Sequence, residues 1–231
     1  MFEKIITADQ TPEVTSRIFY ELQEISGDAC ASWHATGPEL AVRGLMWVVV
    51  RYEISLNRWL VPGETLKMKT WASPVRHRMS QRNYIALDDR DGCVFSGAGI
   101  WAVADRQSRS MVDPDSHGVV LHTETTGEEP SRPASPQRIP FQNSICYTVK
   151  SEVLDINGHM NNTKYFDAVQ TCAKGLDLSS LRKIRAVFNS EAREGDSLTI
   201  KWGSSDGIWY FHGEKNSASC FQIGLETGSK L

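Results

Sequence analysis

Pro62-Gly63-Glu64-Thr65-Leu66-Lys67-Met68-Lys69-Thr70-Trp71 and Glu194-Gly195-Asp196-Ser197-Leu198-Thr199-Ile200-Lys201-Trp202 are two versions of one phrase. Each is a Gly–acid–hydroxyl turn running into an alternating strand. Leu66 and Met68, like Leu198 and Ile200, fall on one face, with lysines and hydroxyls on the other. Working outward, each is followed by a hairpin, turning at Asp88–Gly92 in the first case and Gly213–Ser217 in the second. The run Cys93–Ala104 is apolar or small on both faces, as a strand central to a covered sheet should be. Upstream, Ile18, Leu22, Ile25 and Ala29 mark one face of a helix, and so do Tyr165, Ala168, Val169 and Cys172. Short apolar segments, Phe2–Ile6 and Ile145–Val153, precede the two helices.

A helix followed by antiparallel strands, twice over, is an α+β duplication. A long sheet wrapped around a central helix satisfies it, so the expected architecture is a tandem double hot-dog. Pro114, Pro130, Pro133, Pro136 and Pro140 crowd a polar stretch of little periodicity. The expected division is an N-terminal domain at 1–113, a linker at 114–142 and a C-terminal domain at 143–231.

Apolar residues make up 40% of the 231 and charged residues 23%, with a net charge of -3, so neither nucleic acid nor an anionic membrane is indicated. The longest apolar stretch, Gly44–Val50, is far too short to span a bilayer, which takes roughly 20 residues. Met1–Ile6 has neither a signal-peptide core nor a transit segment, which gives a cytoplasmic expectation. Cys30, Cys93, Cys146, Cys172 and Cys220 are odd in number and scattered. They read as reduced thiols, with no disulfide framework, no structural metal and no cofactor.

Chemistry concentrates in Leu154-Asp155-Ile156-Asn157-Gly158-His159-Met160-Asn161-Asn162-Thr163-Lys164-Tyr165. If the segment is extended, Asp155, Asn157 and His159 share a face. With Asn161 or Asn162 as helix N-cap, that face adjoins free backbone N–H groups that favour developing negative charge. An acyl-transfer site needs such a place and a proton-handling group. A calcium loop is ruled out, because its sixth and twelfth positions would be Met160 and Phe166 instead of Gly and Glu. A loop that merely caps the helix is the bland alternative.

The segment resembles the D-x-N-x-H-x-N-N-x-x-Y motif of acyl-ACP thioesterases at Asp155, Asn157, His159, Asn161, Asn162 and Tyr165. Arg58–Glu64, Thr70-Trp71, Gly99-Ile100-Trp101 and Phe188–Ala192 look like further landmarks of that family. The resemblance implies hydrolysis of fatty acyl-ACP to free fatty acid, with Asp155, Asn157, His159 and Glu191 as the catalytic set. Glu191 would assist water attack, Asn157 orient thioester or water, His159 polarise the carbonyl or pass a proton, and Asp155 hold the loop or tune His159. Plant members carry a Cys where Ala192 stands, so an acyl-cysteine route has no thiol at that position.

The first repeat offers Thr7–Pro12 at the place of the loop, without its Asn and His, and is expected to enclose the acyl chain. Trp33, Trp47, Met68 and Trp71 are either its lining or ordinary core. The acidic partner, acyl carrier protein, would meet either the Arg76, His77, Arg78, Arg82 cluster or the Arg182, Lys183, Arg185 cluster, unless both are simply solvated faces. A monomer or a homodimer is expected. Acyl-CoA hydrolysis, hydroxyacyl-thioester dehydration and non-catalytic acyl binding remain open on the same scaffold.

Overall fold

The alternating segments pair into one antiparallel sheet. The computed structural model describes residues 1–8 and 16–228. Its first half contains β1 (Phe2–Thr7), α1 (Ser16–Ala31), α2 (Gly37–Val42), β2 (Leu45–Leu56), β3 (Thr65–Ala72), β4 (Met79–Leu87), β5 (Cys93–Asp105) and β6 (Met111–Val112). The second contains β7 (Asn143–Thr148), α3 (Lys164–Cys172), β8 (Leu181–Phe188), β9 (Ser197–Ser205), β10 (Ile208–Lys215) and β11 (Ala218–Thr227). Strand order is β1-β3-β4-β5-β2-β8-β11-β10-β9-β7, with β6 on β5. Outward from the β2–β8 seam the order is 2, 5, 4, 3, 1 on one side and 8, 11, 10, 9, 7 on the other. The repeat read in the sequence is thus a repeat of topology: the fold is a tandem hot-dog of the α+β class.

Leu66, Met68, Leu198 and Ile200 are all fully buried, which fixes the register of β3 and β9, since a slip by one residue would turn them to solvent. The helix faces bury Ile18, Leu22, Ile25 and Ala29 on α1, and Tyr165, Ala168, Val169 and Cys172 on α3. The helices meet where Phe19 and Phe166 stack with ring centroids 3.9 Å apart, inside one hydrophobic core shared by both halves. The second hairpin turns at Asn216-Ser217, both with positive φ, and Gly213 lies within β10. Gly213 is required there because a Cβ would run into the Phe221 ring.

At the seam, Glu53 lies opposite Arg185. Arg185 Nε donates to Glu53 Oε2 at 3.0 Å, Lys183 Nζ sits 3.6 Å from Glu53 Oε1, and Arg185 also pairs with Glu226. Two of the three cations in the second basic cluster therefore serve the joint between halves. After a 3-10 turn at Asp115–His117 closed by Gly118 at φ 67°, the rest of 114–142 is irregular and pinned along the sheet. Ala134 N donates to Glu53 Oε2 at 2.9 Å, Gln81 Nε2 to Pro130 O at 2.8 Å and Gln142 N to Trp202 O at 2.9 Å. Glu53 alternates with Tyr52, which packs on Phe19 of α1, so the strap crosses the sheet face opposite the helices. Among the described residues no helix is long and apolar enough to cross a membrane.

Candidate functional site

The Asp155–Thr163 segment is a tight turn and not an extended strand. Leu154 and Met160 form a bridge across it, Asp155 N donates to His159 O at 2.7 Å, and Gly158 takes φ 74°. Asp155 drives this geometry: its Oδ1 accepts Asn157 N at 2.8 Å and His159 N at 3.2 Å. A carboxylate that collects local N–H groups outcompetes the extended backbone. Asp155, Asn157 and His159 are therefore gathered by a turn and do not share a face by alternation. Asn157 Nδ2 donates to Asp155 Oδ2 at 3.3 Å, which leaves its second amide hydrogen without a partner among the described residues.

The turn is docked by Met160 N donating to Ala192 O at 2.8 Å, which sets His159 beside Glu191. Glu191 lies beyond the end of β8, which stops at Phe188, so it is a loop residue and not a strand residue. Lys215 Nζ donates to the Glu191 carbonyl at 2.7 Å and holds this backbone. His159 Nε2 is 2.9 Å from Glu191 Oε2. His159 is 6% exposed, and burial lowers its pKa more than Glu191 raises it, with the Arg109 charge lowering it further. A neutral imidazole facing a carboxylate must carry its proton on Nε2 and donate it.

Arg109 completes the cluster and comes from the other half of the chain. Its Nη1 donates to Glu191 Oε1 at 3.1 Å, and its Nη2 is 3.4 Å from His159 Nε2. Arg109 sits in the β5–β6 turn with φ 61°, a left-handed conformation that costs a non-glycine residue about 1–3 kcal/mol. The polar run Asp105–Ser110 announces a turn, but nothing in its spacing says that one of its cations crosses to the second repeat.

Two other sequence expectations change. The N-cap of α3 is Thr163, and Asn161 Oδ1 accepts the Thr163 N–H at 2.9 Å from outside the helix. Lys164 N and Phe166 N donate to Asn161 O and Thr163 O, so most of the N–H groups at this helix start are already engaged. The helix terminus is therefore a poor oxyanion site. Tyr165 is core, as its place on the apolar helix face implies, its ring 4.8 Å from that of Phe221, and burial raises its phenol pKa.

A cavity of about 240 Å³ adjoins the turn. Asp155, Asn161 and Asn162 line it from the second half, and Trp33, Trp47, Trp101, Cys30 and Arg82 from the first. His159 and Glu191 lie outside the lining. Of the four aromatic and Met candidates, Trp33 and Trp47 face the cavity, whereas Met68 and Trp71 are packed interior. Of Thr7–Pro12, positions 9–12 lie outside the described residues. Among the described residues no group of three His, Cys, Asp or Glu side chains is placed to hold a metal ion.

Comparison with known proteins follows the same line. Residues 9–115 match the family model of the acyl-ACP thioesterase N-terminal domain, and residues 138–229 that of the C-terminal domain. A chloroplastic palmitoyl-acyl carrier protein thioesterase of Gossypium hirsutum is 25% identical over 175 residues, which cover 69% of this chain and 42% of that protein. The chain thus spans less than half the length of this curated relative. The fold is shared with a 12:0-ACP thioesterase from Umbellularia californica, at TM-score 0.80 and 17% identity over 99% of this chain and 97% of the other. It is shared too with an acyl-ACP thioesterase from Bacteroides thetaiotaomicron, at TM-score 0.78 and 17% identity over 98% and 97%.

Proposed function

The chain belongs to the acyl-ACP thioesterase family, and from that premise we propose that it hydrolyses fatty acyl-ACP to free fatty acid and ACP. The observation that supports this reading best is the Glu191 carboxylate held between two donors, Arg109 on Oε1 and His159 on Oε2. Glu191 takes a proton from water as the water oxygen bonds to the thioester carbon. The tetrahedral oxyanion then collapses, the C–S bond breaks, and the proton returns from Glu191 to the leaving sulfur. His159 stays neutral and orients the base, Asp155 shapes the turn, and Asn157 offers its remaining amide hydrogen to the thioester carbonyl. Ala192 is fully buried and supplies no thiol, which favours direct water attack over an acyl-enzyme.

In this reading 1–113 supplies the acyl pocket, 143–231 the catalytic turn and base, and 114–142 the strap between them. The protein works without a cofactor, in the cytoplasm, where its five free cysteines stay reduced. The internal pairing at the β2–β8 seam suffices for a monomer, and edge strands β1 and β7 are open to a second copy in a homodimer.

The test is free fatty acid release from acyl-ACPs of graded chain length by wild type and by Asp155→Ala, His159→Ala and Glu191→Ala, with circular dichroism on each. Release by wild type and its loss in the folded variants is expected. No release from any acyl-ACP would overturn the reading, and full activity in all three variants would move the site elsewhere.

A further inference from the structure

The Gly195-Asp196 turn that opens β9 does more than begin a strand. Loops of equal length, 57–64 between β2 and β3 and 189–196 between β8 and β9, lead into the two repeated phrases. Aligned on Gly63 and Gly195, they set Asn57 against Asn189, Trp59 against Glu191, Val61 against Arg193 and Glu64 against Asp196. Their hydrogen bonds match as well. Gly63 N donates to Ala8 O at 3.1 Å and Gly195 N to Val149 O at 2.9 Å. Ala8 N and Val149 N donate in return to Glu64 O at 2.8 Å and Asp196 O at 2.9 Å. Each acid caps its own turn: Glu64 Oε1 accepts Val61 N at 2.6 Å, and Asp196 Oδ2 accepts Arg193 N at 2.7 Å.

A cation closes both loops. In the first it is Arg58, whose guanidinium donates to Glu64 Oε2 at 2.7 Å and to the Trp59 carbonyl at 3.2 Å. Ser190 stands at that place in the second loop and carries no charge. Lys215, at the end of β10, supplies it: Nζ donates to Asp196 Oδ2 at 3.0 Å and to the Glu191 carbonyl at 2.7 Å. Acid, cation and carbonyl are thus the same three parts in both halves. What they hold differs. Trp59 packs against the core, so the first clamp secures an apolar side chain. The second secures Glu191, whose side chain is 35% exposed on a loop beyond the end of β8.

A charged donor on a carbonyl makes a strong hydrogen bond, but the four-carbon lysine stem is flexible and needs a second anchor. Asp196 is that anchor. The Arg193 N–H, and then Lys215, hold its carboxyl below the usual carboxylate range, so it stays ionised. On the far side of Glu191, Met160 N donates to the Ala192 carbonyl at 2.8 Å. The peptides of Glu191 and Ala192 are both fixed, and the Glu191 carboxylate meets His159 Nε2 at 2.9 Å and Arg109 Nη1 at 3.1 Å. We propose that Lys215, tied by Asp196, is a positioning residue for the Glu191 base. A turn that is structural in the first half aims a reactive carboxylate in the second. For turnover this rests on the proposed hydrolase reading; for geometry it does not.

The experiment compares folded Lys215→Met, Lys215→Arg, Asp196→Asn and Arg58→Met with wild type, by acyl-ACP hydrolysis and by NMR of the His159 ring. The ring signal is assigned by its loss in His159→Gln. A displacement of about 1 Å can cost about a hundredfold in rate, so Lys215→Met should lower kcat about tenfold to a hundredfold with KM unchanged. Its His159 signal should shift. Lys215→Arg should restore most of both, because Arg58 makes the same pair of contacts in the first half. Asp196→Asn should move both in the direction of Lys215→Met by less, and it carries the test if Lys215→Met does not fold. Arg58→Met should lower the melting temperature and leave kcat and the His159 signal in place. Full kcat or an unmoved His159 signal in folded Lys215→Met, or in Asp196→Asn standing in for it, would overturn the proposal. So would a kcat loss in Arg58→Met as large as in Lys215→Met, since the effect would then be one of stability. A wild type that releases no fatty acid sinks the hydrolase, while a His159 signal shifted by Lys215→Met and restored by Lys215→Arg leaves the clamp standing.

Discussion

The two halves share a strand plan and differ at their helices. In the first half α1 runs 16 residues, and its Gln23, Ser26, Gly27 and Cys30 form one wall of the cavity. In the second half α3 runs only 9 residues and is entered through the Asp155–Thr163 turn that carries the polar groups. The sheet is the conserved load in both, because burying Leu66 and Met68 or Leu198 and Ile200 leaves each strand one register. Helix length and the approach to the helix are free of that constraint. The difference teaches where the two copies of a duplicated fold can differ: one has the longer helix and most of the cavity lining, and the other the shorter helix and the polar turn. Arg109 shows that the division is incomplete, since the first half lends the second a cation.

The largest expected effect tests that division at its chemical end. Glu191→Gln keeps the shape and removes the proposed base, so kcat should fall by about 10²–10⁴ while the melting temperature stays near wild type. A variant that retained full kcat would show that Glu191 is not the base. Next in size is the joint between helices. Phe19→Ala opens a hole opposite Phe166, and loss of a buried aromatic typically costs about 3–5 kcal/mol, read in urea unfolding. Because one core spans both halves, the expected transition is single. Two separated transitions would show that the halves are independent units.

Arg109→Met sharpens the comparison, because it alters the first half and should be felt in the second. Removing a hydrogen bond to a charged group at roughly 1.5–3 kcal/mol predicts a kcat loss of about tenfold to a hundredfold, with KM little changed and partial rescue by Arg109→Lys. A rise in KM with unchanged kcat would mean that Arg109 binds substrate instead of positioning Glu191.

How much of this was legible in the sequence depends on whether the signal was local. Period-2 and period-3.6 patterns are local, so β3, β9, α1 and α3 could be read from Leu66, Leu198, Ile18 and Tyr165. Thr36-Gly37-Pro38-Glu39 is equally local, a capping box with an early proline that starts α2, a helix too short to show a period of its own. The turn at Asp155 was misjudged because the same D-x-N-x-H spacing fits a strand face and a carboxylate-capped turn. Only the Asp155 Oδ1 contacts distinguish them. Arg109 and Lys215 were out of reach for a different reason. Whether a cation meets Glu191 across the fold depends on pairings between distant residues that no local pattern records.

The smallest expected effect concerns charge. His159 and His212, both in the second half, have pKa values lowered chiefly by burial. His159 faces Glu191, Asp155, Arg109 and Arg193, while His212 faces Glu214, Arg138 and Lys201. The unfolded chain titrates such histidines near ~6.5. Below that value the unfolded state binds more protons than the native state, so stability rises with pH in that window. The contribution of both histidines is complete above about pH 6.5 and is lost as pH falls from there toward the lower native values. Unfolding free energy should therefore drop between about pH 6.5 and 5, above the range in which ordinary carboxylates titrate. His159→Gln should flatten part of that drop and His212→Gln the rest. If neither changes the slope, both imidazoles take up protons in the native state as readily as in the unfolded chain, and the neutral His159 that donates to Glu191 is lost from the mechanism.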